Sequence, residues 1–478
     1  MDRLVIALVF NLDEKWIGGG YYIRNVVSAL GKLPAVERPS ILMISDNRRS
    51  YDFIAETGYP DLTWLTREQF DPRSTEFAID ATFPWALPGV EEKAVSWIPD
   101  LQEHHLPAFF SKEEIEGRQN WHRSCFQTAG LILSSQAVLD DVDRFYPNQG
   151  QDKKVVHFAT FDTLDKSTVA ETVERYDLGE RYVLCPNQLW IHKNHVVALD
   201  ALRILKQRGK DISLYFTGND HDHRAVGYSR FLKQRIADWG LTENVRFLGF
   251  LPRGDQLALM SGANYILQPS LFEGWSTVIE DAKAMSQFVL ASDLDVHKEQ
   301  LNTNFELFDR SNPQALADAM ERLHDAPPAK EELDYSKAQQ QFGRDFVSAV
   351  AHFVDGRQRA SGISFDEILR MTTKNLDETV DDKSDNPAEP TSIAIEPKKS
   401  PPLAKKKWPA LKSSNELDGP IPATRVKSFP VNFFTMLSRS FDRTWYRRTY
   451  GENVSTKPLA VLNAVLKLDR SPTPFFDP

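Results

Sequence analysis

The feature that most narrows the fold is an alternation that the chain runs through twice. Short apolar, β-rich runs are separated by longer segments of helical period. In the first half the runs are RLVIALVF from Arg3, SILMIS from Ser40, EFAIDAT from Glu76, AVSWIP from Ala94, GLILSS from Gly130 and KVVHFAT from Lys154. In the second they are RYVLCPN from Arg181, ISLYFTG from Ile212, VRFLGFL from Val245, NYILQPS from Asn264, QFVLAS from Gln287 and FELFD from Phe305. Helical stretches such as YYIRNVVSALGKL and HVVALDALRILKQRG fall between them. Alternation of this kind predicts parallel sheets covered by helices, so an α/β chain with two Rossmann-like domains is expected, joined near Phe161 to Leu178.

At 478 residues the chain exceeds one ordinary core, which agrees with two domains plus further material. The expected boundaries are 1–163 for a first domain and 164–371 for a second, whose last helix, about 343–355, packs back on the first. Residues 372–428 are rich in Pro, Ser and mixed charge and read as a disordered linker. In the tail, 429–478, Phe433, Leu437, Phe441 and Trp445 recur every four residues while Arg439, Arg443, Arg447 and Arg448 lie on other faces. That is a basic amphipathic helix over 431–451, suited to an anionic membrane surface, to a partner, or to packing back on the body.

A formal net charge of −10 argues against nucleic-acid binding, which draws its affinity from clustered Lys and Arg. Cys125 and Cys185 give neither a disulfide framework nor a zinc spacing, so a reducing cytoplasm is the expected compartment, with peripheral contact on the inner face of a membrane. The N-terminal apolar run enters Asn11-Leu12-Asp13-Glu14 with no small-residue cleavage site and reads as a buried strand. No apolar run approaches the roughly 18 residues of a spanning helix.

The segment LFEGWSTVIEDAKAM, Leu271 to Met285, places Glu273 and Glu280 seven positions apart where a strand-end loop becomes a helix. Ligands of open α/β sheets bind at the carboxyl ends of the strands, and a helix start offers N–H groups to an anion. Gly274 permits close backbone approach, Ser276 suits an N-cap, and Ser276 and Thr277 add donors without bulk. A phosphate at the helix start, with a carboxylate for the sugar on either side, accounts for the pattern. Taken alone, Glu280 reads equally as a first-turn acid favoured by the helix dipole.

The surroundings of this segment, PSLFEGWSTVIEDAKAMSQFVLASD together with NVRFLGFLPRGDQLALMSGANYILQPS, FTGND and CPNQLWIHKNHVVALDAL, resemble the GT-B retaining glycosyltransferases, specifically glycosyltransferase family 4 and its E-x7-E motif. The resemblance covers about residues 1–355 and implies transfer of a sugar from a GDP- or UDP-linked donor to a glycan or lipid-linked acceptor, in polysaccharide or lipopolysaccharide synthesis. It implies Lys193 as the cation for the diphosphate, with Gln188 where many relatives carry Arg. A glycine-rich loop, Gly18 to Gly20, is expected to approach the diphosphate and acceptor. Relatives often show His-Asp where this chain has Pro99-Asp100, so Asp100, with His104 or His105, is expected near the reaction centre.

The implied catalytic set is Glu273, Lys193, Asp100 and His104. The implied donor-binding set is Gly19, Gly20, Asn187, Gln188, Lys193, Gly218, Gly274, Trp275, Ser276, Thr277 and Glu280. No cofactor and no metal are expected: Asp293 to Asp295 spells a DxD, but as a strand-end loop in the wrong architectural place. Asp140 to Asp143 reads as a solvated helix face. Two other readings of the same fold are a catalytically silent sugar-nucleotide-binding scaffold and a sugar-nucleotide epimerase.

Overall fold

A computed structural model describes residues 3–13, 17–71, 79–220, 222 and 224–354. The linker and the tail, with the stretch 431–451 read above as a basic amphipathic helix, lie outside the described residues. In the first domain, β1 (Val5–Val9), β2 (Ser40–Ile44), β3 (Leu62–Leu65) and β4 (Ala81–Phe83) form a parallel sheet in the order β3-β2-β1-β4. A second parallel sheet, β5 (Val95–Ile98), β6 (Gly130–Leu133) and β7 (Lys153–Val155), is joined to it by a bridge between Thr82 and Ala94. Every residue of β1 and β2 is buried, as expected of strands covered on both faces. The alternation missed β3, where Thr63 interrupts the apolar run and Leu62 and Trp64 are only half-buried.

The second domain holds β8 (Val183–Cys185), β9 (Leu214–Thr217), β10 (Val245–Gly249), β11 (Tyr265–Gln268), β12 (Val289–Ser292) and β13 (Phe305–Phe308). All pairings are parallel, in the order β10-β9-β8-β11-β12-β13. Strand order reverses between β8 and β11, so the loops leaving these two strands diverge and open a crevice at their carboxyl ends. Those loops carry Asn187 to Lys193 and Pro269 to Ser276.

The last described helix, Ser336–Val354, buries Phe342, Phe346, Val350 and Phe353 in the core of the first domain with Tyr22, Val26 and Leu30 of the helix Ile17–Gly31. A Cβ at Gly343 would stand 2.7 Å from the carbonyl oxygen of Ala29, so glycine is what lets the two helices come this close. Phe109 and Phe110, from the loop after β5, reach in the opposite direction and join the core of the second domain with Leu189 and Ile191. Each domain therefore packs part of the other's chain. No helix among the described residues is long and apolar enough to cross a membrane.

Candidate active site

Helix Thr277–Ala284 starts at Ser276, whose extended backbone and hydroxyl, accepting from Ile279 N, make it the N-cap. Just before it, Glu273 is largely covered, and three donors converge on its Oε1: Lys193 Nζ at 2.7 Å, Ser270 Oγ at 2.6 Å and Gln268 Nε2 at 2.8 Å. Burial alone would raise its pKa, but the Lys193 ammonium and the Ser270 hydroxyl together hold it below the usual carboxylate range. Lys193 reaches it from the loop after β8, across the crevice. It closes a short 3-10 turn, Ile191–Lys193, after which Asn194 takes a left-handed conformation and bonds the Arg310 carbonyl.

The residues around this pair are largely committed to one another. Asn187 is buried and donates to Gln268 Oε1 at 2.9 Å. Gln188 uses its side-chain oxygen on the backbone N–H of Asn219, 2.7 Å away. Gly218 has a φ of +103°, and a Cβ there would meet the backbone of Asn187 and Gln188, so the turn after β9 needs glycine twice over. Beside it, a cavity of about 320 Å³ opens between Leu189, Asp220, Lys233, Phe247 and Phe250.

The two domains touch at the motif. A Cβ on Gly274 would collide with the Pro99 carbonyl and Asp100. Trp275 stacks on His157 with centroids 4.3 Å apart and donates to the Phe158 carbonyl. Asp100 uses Oδ1 to accept from Gln102 N, 3.0 Å away.

Several expectations need correction. His104 does not face the motif: its ring stacks on Phe145 at 4.4 Å and its Nε2 lies 3.1 Å from the Tyr146 hydroxyl, both within the first domain. His105 is the histidine that meets the second domain, its ring 5.0 Å from that of Phe272. Gly19 and Gly20 are not a loop but lie in the first turn of the helix Ile17–Gly31, both buried. Ser276 N–H is taken by Gln300 Oε1 at 3.1 Å, leaving Thr277 and Val278 to open the helix with amides that have no intrahelical partner.

Glu280 is also not open to a ligand. It is 1% exposed, and its oxygens accept from Tyr335 Oη at 2.5 Å, Lys283 Nζ at 2.8 Å and Gln300 Nε2 at 2.9 Å. Only six residues separate it from Glu273. Seven intervening residues lead instead to Asp281, which binds Arg253 through two hydrogen bonds of 2.8 and 2.6 Å. Arg253 in turn reaches Asp162 at 2.8 Å and lies over the ring of Tyr21. Counting would have found Asp281; nothing in the local pattern announced Gln268, Gln300 or Tyr335. The two acidic decoys behave as expected on the surface, Asp293 pairing with Arg310 and exposed Asp143 with Lys153.

Residues 170–341 match the family model of glycosyl transferases group 1. The matched stretch coincides with most of the second domain. A curated relative, the alpha-D-kanosaminyltransferase of Streptomyces kanamyceticus, is 27% identical over 199 residues, 41% of this chain and 50% of that protein. The chain thus spans half the length of this relative. Among solved structures, Anabaena HepE in complex with UDP and glucose superposes with a TM-score of 0.50 at 16% identity, covering 79% of this chain and 100% of that one. A glycosyltransferase from Rickettsia africae gives a TM-score of 0.50 at 14% identity, over 80% of this chain and 100% of that one. The fold is GT-B, with two Rossmann-like domains facing a cleft.

Proposed function

We propose that the chain transfers a sugar from a nucleoside diphosphate sugar to a hydroxyl of a glycan or lipid-linked acceptor, with retention at the anomeric carbon. The observation that carries this reading is the largely covered Lys193–Glu273 pair, 2.7 Å apart, set at the opening of helix Thr277–Ala284 on the switch-point crevice. The diphosphate sits between the Lys193 ammonium and the Thr277 and Val278 amides, which are in place before negative charge builds on the leaving group. Glu273 then turns a carboxylate toward the transferred sugar's hydroxyls, whereas Glu280 and Asp281 are both buried and bonded within the protein. The cavity at Gly218, Phe247 and Phe250 receives the base.

In the reaction the anomeric carbon parts from the phosphate oxygen as the acceptor oxygen bonds on the same face. The acceptor proton passes to the departing phosphate, so no separate base is required. Closure of the domains at Gly274 and Pro99 keeps water out. A UDP-linked donor is favoured, because a protein of the same fold was solved with UDP and glucose.

The test is a thermal-shift panel of UDP-, GDP- and ADP-sugars followed by transfer of radiolabel to glycan acceptors. One donor should raise the melting temperature and label an acceptor, and Glu273→Ala should abolish labelling. The occupied side chain of Gln188, where relatives place a cation, favours a second reading as a binding scaffold. Donor binding with no transfer, unaffected by Glu273→Ala, would establish that reading instead. Conversion of free sugar nucleotide without acceptor would establish an epimerase.

A further inference from the structure

The first domain buries a second group of polar side chains for which the proposed reaction has no use. Glu103 and His104 come from the short helix Gln102–His105, His122 from the helix Lys112–Cys125, and Tyr146 caps the helix Gln136–Phe145. His104 Nε2 and His122 Nδ1 each lie 3.1 Å from Tyr146 Oη. Glu103 Oε1 is 3.3 Å from His122 Nδ1 and 3.5 Å from His104 Nε2.

Protons alone leave this group unsatisfied. The Tyr146 hydroxyl can donate to one histidine and accept from the other, which uses both of those ring nitrogens. Neither oxygen of Glu103 then has a hydrogen-bond partner among the described residues, although its side chain is wholly covered. Arg118 stands 3.7 Å from Glu103 Oε2 and 3.8 Å from Asp100, a distance to each that is too long for a hydrogen bond. An orphaned buried carboxylate of this kind costs free energy unless a cation reaches it.

The spacing suggests the cation. Four ligands at about 2.1 Å from a tetrahedral zinc ion lie about 3.4 Å from one another, against 3.1, 3.1, 3.3 and 3.5 Å here. We propose that Glu103, His104, His122 and Tyr146 bind one divalent transition-metal ion of the zinc class. Two imidazoles with two oxygens suit zinc or cobalt far better than magnesium or calcium. The ion takes no part in sugar transfer, and the expectation that the diphosphate chemistry needs no metal is untouched. Its role is positional: Glu103 and His104 lie between Asp100 and His105, which face the second domain, so the metal would hold that stretch of the cleft wall in register.

The full chain, freed of any histidine tag and stripped with a chelator, is titrated with zinc against a chromophoric competitor and separately with cobalt. One equivalent of zinc should bind, and cobalt should show the intense visible bands of a tetrahedral site. His122→Ala and Glu103→Gln should each weaken zinc binding by at least about tenfold, while His352→Ala, at an exposed histidine paired with Asp152, should leave it unchanged. Failure of the folded natural chain to bind zinc, or a six-coordinate cobalt spectrum, would overturn the proposal whatever the variants do. So would a folded His122→Ala chain, checked by circular dichroism, that binds zinc as the natural chain does.

Discussion

Glu273 and Glu103 each follow the carboxyl end of a parallel strand, β11 and β5, with side chains 9% and 0% exposed, and they differ in what surrounds them. Glu273 receives three donors, one of them an ammonium, and its pKa is held below the usual range in spite of burial. Glu103 receives no hydrogen bond from the described residues, and burial lifts its pKa to about 7. Burial alone disfavours charge; a paired cation with hydrogen bonds reverses that preference. The second domain thus keeps a carboxylate ionised for polar chemistry, while the first keeps one poised between its two forms.

Removing the cation should bring the largest change. Lys193→Ala leaves the largely covered Glu273 carboxylate with only the neutral donors Ser270 and Gln268, and the expected loss of stability is about 3–5 kcal/mol, read by denaturant unfolding. Transfer should fall by about 10²–10³ as the leaving diphosphate loses its partner. If Glu273→Gln added to Lys193→Ala failed to recover stability, the contrast with Glu103 would lose its basis.

The next effect concerns pH and is measured with chelator present. The folded value of about 7 for Glu103 lies above its ordinary 4.5, so the folded chain keeps a proton that the unfolded chain releases between those values. The contribution is complete below pH 4.5, declines as pH rises, and is lost above 7; over that window it amounts to about 3 kcal/mol. Glu103→Gln should remove this decline. His122, depressed to about 3, tilts stability the other way below its ordinary 6.5, and subtracting the variant from the natural chain cancels it. A difference that grew with pH would break the comparison.

A smaller change separates the neighbours in the motif. Asp281→Asn should lower stability by about 1.5–3 kcal/mol, because it weakens the charged pair with Arg253. Glu280→Gln should cost less, and both variants should leave the donor KM nearly unchanged. A rise in KM of about tenfold for either one alone would assign it the ribose.

The sheets were legible because strands buried on both faces are apolar throughout, as VIALV and GLIL are. Gly274 and Lys193 were legible through their place between strand and helix. What escaped was everything decided by contacts between distant segments. His104 and His105 are adjacent in sequence, and only the packing of the helices Lys112–Cys125 and Gln136–Phe145 sends one to Tyr146 and the other to Phe272. Glu280 looked like a surface acid or a ligand because its partners, Gln300 and Tyr335, lie 20 and 55 residues away.

Tyr335 provides the finest test, because it joins three segments with one hydroxyl. It donates to Glu280 at 2.5 Å and accepts from Thr160 N at 3.0 Å, tying the motif helix to the link between domains and to the start of the helix that crosses back. Tyr335→Phe removes both bonds but leaves Glu280 with Lys283 and Gln300, so the expected cost is about 2–3 kcal/mol, most of it for the bond to the carboxylate, and below that for Lys193→Ala. Glu280 differs from Glu103 in this respect: losing one of three donors leaves it bonded, whereas Glu103 begins with none. If denaturant unfolding showed Tyr335→Phe to be as damaging as Lys193→Ala, the hydroxyl rather than the two nitrogen donors would be what keeps Glu280 buried, and the graded view of these acids would fail.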